Sequence, residues 1–271
     1  MIKLFFIFAL FLVSNWGTTL NSGENTSPPP RRILSLSSAV TYILLQLQTP
    51  PAAIDTYGRA VAGTENIPVA GKGSALSLEK LTALKIDTII GWNYQSELER
   101  TAANYQIKLH LIKPLRLMEY PKLIKQVGKF VNREREAAEL AEKFQSDLVQ
   151  YPLPAANQPE IKIYFELYSP GKIAGDNSYL GDLLRRAGGR SIVDKGGLIS
   201  SEKIILARPE VIFYIEGFTT EDELRERPGF STFPAVKNNR IYAVKRQQII
   251  EGVAPIETIK FFQSKIKPSG K

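Results

Sequence analysis

A single histidine, His110, and the absence of any cysteine leave this chain few groups for acid–base or nucleophilic work. Disulfides, thiolate metal sites and cysteine nucleophiles are excluded, and a zinc or manganese centre would need several histidines or carboxylates together. His110 falls inside an apolar run and reads as a packed residue. Ser37 and Ser38 have no base near them in sequence. Gly71-Lys72-Gly73-Ser74 has neither the P-loop spacing nor the G-x-G-x-x-G fingerprint. What is left is the chemistry of recognition. Tyr57, Trp92, Tyr94, Tyr168 and Tyr214 offer flat faces with polar edges, while Lys72 and Arg246 offer cations for carboxylate or phosphate. Ser37, Ser38 and Asn93 add small polar groups. The expectation is a binding protein, not an enzyme; a nucleotide-using enzyme is the main rival and a ligand sensor the second.

The second chemical signal is a segment that occurs twice. Leu76 to Ile90 and Ile199 to Phe213 align without a gap. Ser77 then falls on Ser200, Glu79 on Glu202, Lys80 on Lys203, Lys85 on Arg208 and Asp87 on Glu210. Each copy reads as a short helix opened by a serine cap, a polar turn, and an apolar strand. Glu79 and Glu202 sit two residues after their serines, so neither meets the three-residue spacing of a capping box. Two like α/β units in one chain imply two lobes with a cleft between them.

The elements that must carry these residues alternate between strand and helix. In the first half the expected strands are 33–36, 53–55, 68–70, 88–92 and 107–112, with helices at 39–47 and 97–104. The second half repeats the pattern with strands at 161–167, 211–215 and 240–244, and helices at 178–187, 221–226 and 256–266. A glycine-rich loop is expected at 168–177 and an irregular turn at 229–235. Such alternation indicates an α/β fold with parallel sheets covered on both faces. Leu140, Phe144 and Leu148 share one face of a helix expected over 132–152, which joins a first lobe (32–131) to a second (153–271). Ligands of open parallel sheets lie at the carboxyl ends of the strands. Those ends carry Ser37-Ser38, Tyr57, Trp92-Asn93-Tyr94, Tyr168, Tyr214 and Arg246, with Gly175 and Asn177 as further candidates.

The first residues differ from the rest. Lys3 precedes an apolar run from Leu4 to Val13, too short to span a bilayer but suited to a secretory signal. A signal peptide is expected over 1–22, followed by a proline-rich linker over 23–31. With no cysteine to carry a lipid, the exported chain is expected to be free in a periplasm. Its removal costs only Lys3, leaving 34 basic against 27 acidic residues, a spread-out surplus with no basic block for nucleic acid.

Arg32-Ile33-Leu34-Ser35-Leu36-Ser37, the stretch Leu78 to Asp87, and Ala187-Gly188-Gly189 together resemble, in order and spacing, a known family. It is the class of periplasmic binding proteins that serve ABC importers of corrinoids, ferric siderophores and haem. The resemblance implies two Rossmann-like lobes joined by a single long helix, with limited hinge opening. It also implies a monomer without a resident cofactor, delivering a metal chelate to a permease dimer in the inner membrane. Glu79 and Glu202 match the family's glutamates that dock on permease arginines. The aromatic set at the strand ends would suit a large planar chelate. The loop Glu166-Leu167-Tyr168-Ser169-Pro170-Gly171 resembles corrinoid or siderophore binders, and a corrinoid is the favoured cargo, although Lys72-Gly73-Ser74 stands where corrinoid binders carry a tryptophan. For haem, Tyr57 is the candidate axial ligand.

Overall fold

The computed structural model describes residues 31–93, 97–155 and 157–267. The expected signal peptide, most of the linker, and Tyr94 lie outside the described residues.

The first lobe runs β1 (Ile33–Ser35), α1 (Ser38–Gln46), β2 (Ala53–Asp55), β3 (Val69–Lys72), β4 (Ala75–Leu76), α2 (Leu78–Ala83), β5 (Thr88–Trp92), α3 (Glu97–Asn104) and β6 (Lys108–Ile112). Its sheet has the order β4-β3-β2-β1-β5-β6, parallel except at β4. Two helices then form a hairpin, α4 (Tyr120–Phe130) and α5 (Glu134–Val149), turned at Asn132 with φ +54°. The long joining helix begins two residues later than expected, because Asn132 takes the left-handed conformation that separates it from α4, and ends three residues earlier, ahead of Pro152.

The second lobe continues β7 (Ile161–Glu166), β8 (Lys172–Ile173), α6 (Tyr179–Arg186), β9 (Gly189–Ser191), β10 (Gly197–Leu198), α7 (Ser201–Ala207), β11 (Val211–Ile215), α8 (Glu221–Glu226), α9 (Pro234–Lys237), β12 (Ile241–Val244) and α10 (Pro255–Ile266). Its sheet has the order β10-β8-β7-β11-β12, with β9 also parallel to β7. β8, inside the expected loop, and β9, after the Gly188-Gly189 stop, are too short to show a period in sequence.

The duplicated segment is the same structure twice. β5 and β11 begin and end at aligned positions, and Lys85 and Arg208 both close their helices with positive φ, +51° and +52°. Asp87 accepts a hydrogen bond from the Arg32 backbone N–H at 2.9 Å; Glu210 accepts one from the Lys162 N–H at 3.0 Å. Each carboxylate thus fastens its strand to the start of the neighbouring one. The serine caps differ. Ser77 accepts from the Lys80 N–H at 3.4 Å. Ser200 occupies the cap position without capping, because its hydroxyl bonds the Glu202 carboxylate and holds that carboxyl below the usual range.

The lobes do not bury separate cores on their inner faces. Strand alternation sends Ile33, Ile90, Phe165, Phe213 and Ile215 into one cluster with α1, α4, α5, α6 and α10. Leu34 and Ile89 go instead to an outer cluster of the first lobe, and Tyr164 and Ile212 to one of the second. Polar contacts reinforce the shared core. Arg116, after β6, makes a two-pronged pair with Asp182 of α6 at 2.8 and 2.5 Å, and the Leu117 N–H reaches the same carboxylate at 3.0 Å. Gly252, with φ +73°, passes so close to α1 that a Cβ would lie 2.4 Å from the Ala39 Cβ.

Candidate ligand-binding site

The carboxyl ends of both sheets border a cavity of about 870 Å³. From the first lobe, the junction of β1 with α1 delivers Leu36 and Ser38, β2 ends in Asp55, and the turn after it delivers Thr56, Tyr57 and Ala60. The β3–β4 hairpin supplies Lys72, Gly73 and Ser74, and β5 ends in Trp92. From the second lobe come Tyr168, in the loop after β7, and a run following β12: Arg246, Gln247, Ile249, Ile250 and Glu251.

Of the site residues expected from sequence, Ser38, Tyr57, Lys72, Trp92, Tyr168 and Arg246 converge on this cavity. Tyr57 and Tyr168 are each about half exposed, 47% and 49%, which leaves ring faces available. The Arg246 guanidinium lies 5.9 Å from the Tyr57 ring centroid, a cation over an aromatic face.

Three expected residues do other work. Ser37 is 1% exposed and caps α1, its Oγ accepting from the Val40 N–H at 3.4 Å. Tyr214 is 9% exposed and packs with Ile212, Tyr164 and Phe230 in the second lobe's outer cluster. Alternation along β11 turns it away from the shared core, where Phe213 and Ile215 point. Asn93 is exposed outside the cavity lining, its backbone N–H bonded to the Ile112 carbonyl at 2.8 Å. Gly175 and Asn177 are also structural. A Cβ on Gly175 would strike the Gly196 nitrogen at 2.2 Å, and the Asn177 side chain accepts from Arg116 across the lobes.

Sequence reasoning missed two carboxylates in the wall. Asp55 is 2% exposed and accepts the Gly58 N–H at 2.8 Å, shaping the turn that presents Tyr57. Burial pushes its carboxyl above the usual range, against the opposing pull of backbone donors. Glu251 accepts the Leu115 N–H from the first lobe, and burial raises it likewise. The strand-end rule was the signal available for Asp55. Nothing periodic marks 247–251.

The cavity wall combines aromatic faces, two cations, the buried acid Asp55 and the partly buried Glu251, without histidine, cysteine or methionine. No group of three or more His, Cys, Asp or Glu side chains able to hold a bare metal ion occurs among the described residues. His110 lies apart from the cavity, stacked on Phe130 with centroids 4.0 Å apart, and its imidazole is pushed down mainly by burial. The geometry suits a sizeable organic ligand held by stacking and by ion pairing.

A family model described as periplasmic binding protein matches residues 33–248. The chain belongs to the periplasmic binding protein family. Among curated relatives, the high-affinity heme uptake system protein IsdE of Staphylococcus aureus is 24% identical over 238 residues, 82% of each chain. Among solved structures, the periplasmic heme binding protein HutB of Vibrio cholerae superposes with a TM-score of 0.74 at 21% identity, covering 88% of this chain and 99% of that one. The periplasmic vitamin B12 binding protein BtuF of the same organism gives 0.69 at 19% identity, covering 88% and 97%. These structural likenesses show the two-lobed fold. Binding proteins of this type deliver a small-molecule ligand to an ABC permease. Among the described residues no helix is long and apolar enough to cross a membrane.

Proposed function

We propose that the cargo is a metallo-tetrapyrrole, with haem placed ahead of the corrinoid that the sequence loops favoured. The observation that carries this reading is the Arg246–Tyr57 pair in a cavity that Lys72 also lines. Two cations suit the two carboxylates of haem better than the mostly amide periphery of a corrinoid. Tyr57 offers a phenol oxygen to the iron, a ligand type known for haem. Trp92 and Tyr168 supply further aromatic surface in the same wall. The corrinoid is the second reading, supported by the Glu166 to Gly171 loop pattern.

In this reading the chain is exported by its leader, is free of lipid, and works as a monomer without a resident cofactor. Glu79 and Glu202 dock on the permease dimer. Both are exposed in the first turn of the duplicated helices, so the two lobes offer the same charge at equivalent places. Charge pairs of this kind set encounter rate and orientation more than affinity.

The test is titration of the purified protein with haem, cobinamide, cobalamin and ferric siderophores, followed by Trp92 fluorescence and by absorption. Saturable quenching with a shifted haem absorption band is expected. Saturation by a corrinoid alone would move the assignment to the second reading, and saturation by a siderophore alone would remove tetrapyrroles altogether.

A further inference from the structure

Two aromatic rings stand half exposed on the second lobe. Tyr168 and Phe218 are 49% and 48% exposed, and their rings meet edge to face with centroids 5.3 Å apart. Tyr168 lines the cavity; Phe218 backs it from a different loop. Both loops lack regular structure of their own at these positions, so something else must hold the rings together.

What holds them is a buried carboxylate. Glu166 ends β7 and is 1% exposed. Arg227 grips it with both arms, Nη2 to Oε1 at 2.8 Å and Nη1 to Oε2. The Glu166 Oε2 also accepts from the Tyr164 hydroxyl and, at 3.2 Å, from the Gly171 N–H, which closes the Tyr168 loop. The same Arg227 Nη2 donates to the Thr219 Oγ1 at 3.2 Å, beside Phe218. Thr219 in turn donates to Glu223 at 2.8 Å, and the guanidinium lies 5.6 Å from the Phe230 ring centroid. Gly171 has φ +71°, and a Cβ there would lie 2.6 Å from the Ile199 carbonyl oxygen, so the loop leaves its strand in one way only. A buried ion pair is weak as net stabilisation, because desolvation offsets the attraction. A pair that ties two loops to one strand has a geometric task.

We propose that Glu166 and Arg227 are positioning residues for the ligand cleft, holding the loops of Tyr168 and Phe218 so that the Phe218 ring braces Tyr168 where it lines the cavity. The inference rests on the reading of this cavity as the cargo site. It adds Phe218 to that site as the brace behind Tyr168.

Hydrogen exchange tests the device without cargo. In Arg227→Lys and in Glu166→Gln, amides of 167–171 and 216–220 should lose protection together, while β5 and α5 keep theirs. Unchanged protection in either loop would overturn the proposal. Haem affinity tests the consequence. Arg227→Lys should weaken binding about tenfold, and that loss should vanish in a Tyr168→Ala background, the mark of two residues acting through one another. An equal loss in both backgrounds would show Arg227 acting on lobe stability instead. If wild-type protein binds no tetrapyrrole, the cargo reading fails while the exchange data still judge the ion pair.

Discussion

Arg246 follows the last strand of the second sheet, Tyr57 follows the second strand of the first, and the guanidinium of one lies 5.9 Å from the ring centroid of the other. The two lobes therefore meet chemically across the cleft, between residues 189 positions apart in the chain. Each side chain leaves its own sheet at a carboxyl end, where the Cβ alternation of a strand stops and the loop sets direction.

Arg246→Gln should weaken haem binding by tenfold or more, about 1.4 kcal/mol or above, since it removes a cation facing the cargo. Tyr57→Phe should leave the protein folded and alter the haem absorption band by deleting the phenol oxygen. Equilibrium titration and absorption spectra read both. Unaltered spectra in Tyr57→Phe would take the iron elsewhere.

Reversing both Glu79→Lys and Glu202→Lys should abolish uptake in cells while leaving the cargo Kd intact. Both residues are exposed and neither lines the cavity. Loss of cargo affinity in the double variant would undo the docking assignment.

Lys85 and Arg208 hold equivalent left-handed caps without being glycine. An L-residue there is strained, while glycine takes the conformation freely at some cost in unfolded-chain entropy. Arg208→Gly, at an exposed position, should be neutral to stabilising by about 1 kcal/mol, with Lys85→Gly behaving alike. Urea denaturation measures it. Arg208→Val should be destabilising, because a β-branched side chain tolerates positive φ least.

Glu251 has a raised carboxyl in the folded chain, principally through burial. Its contribution to stability is therefore present at low pH, where it is protonated in both states, and is lost as pH rises past the ordinary glutamate value of about 4.3. Glu251→Gln keeps an oxygen to accept the Leu115 N–H and never ionises. The variant's melting temperature should gain on wild type as pH rises from about 4 to about 7. A difference that is flat with pH would mean that Glu251 titrates alike in the folded and unfolded chains, so that burial does not raise it.

The strand and helix periods, together with the duplication, made most of the scaffold legible before any coordinates. β5, α3, β11 and α8 fall on the residues expected for them, because each is a clean apolar run or an acidic helix start bounded by loop residues. Five cavity residues, Ser38, Tyr57, Trp92, Tyr168 and Arg246, were legible from the strand-end rule, which depends only on where strands stop, and Lys72 from its charge. The direction of a side chain at those ends was not. Tyr214 and Trp92 both lie at or near the ends of equivalent strands, yet alternation puts Tyr214 in an outer cluster while Trp92 lines the cleft. Glu251 entered the wall through a contact with Leu115, 136 residues away, and no local pattern encodes such a contact. Sequence by itself determined the longer elements, their order and the twofold repetition, since these follow from local period and capping, while the two- and three-residue strands β8 and β9 follow from pairing with β7. Tertiary structure alone decided that the inner faces share one core, and that Arg246 meets Tyr57 across the cleft. Those outcomes depend on how two sheets are set against each other by packing.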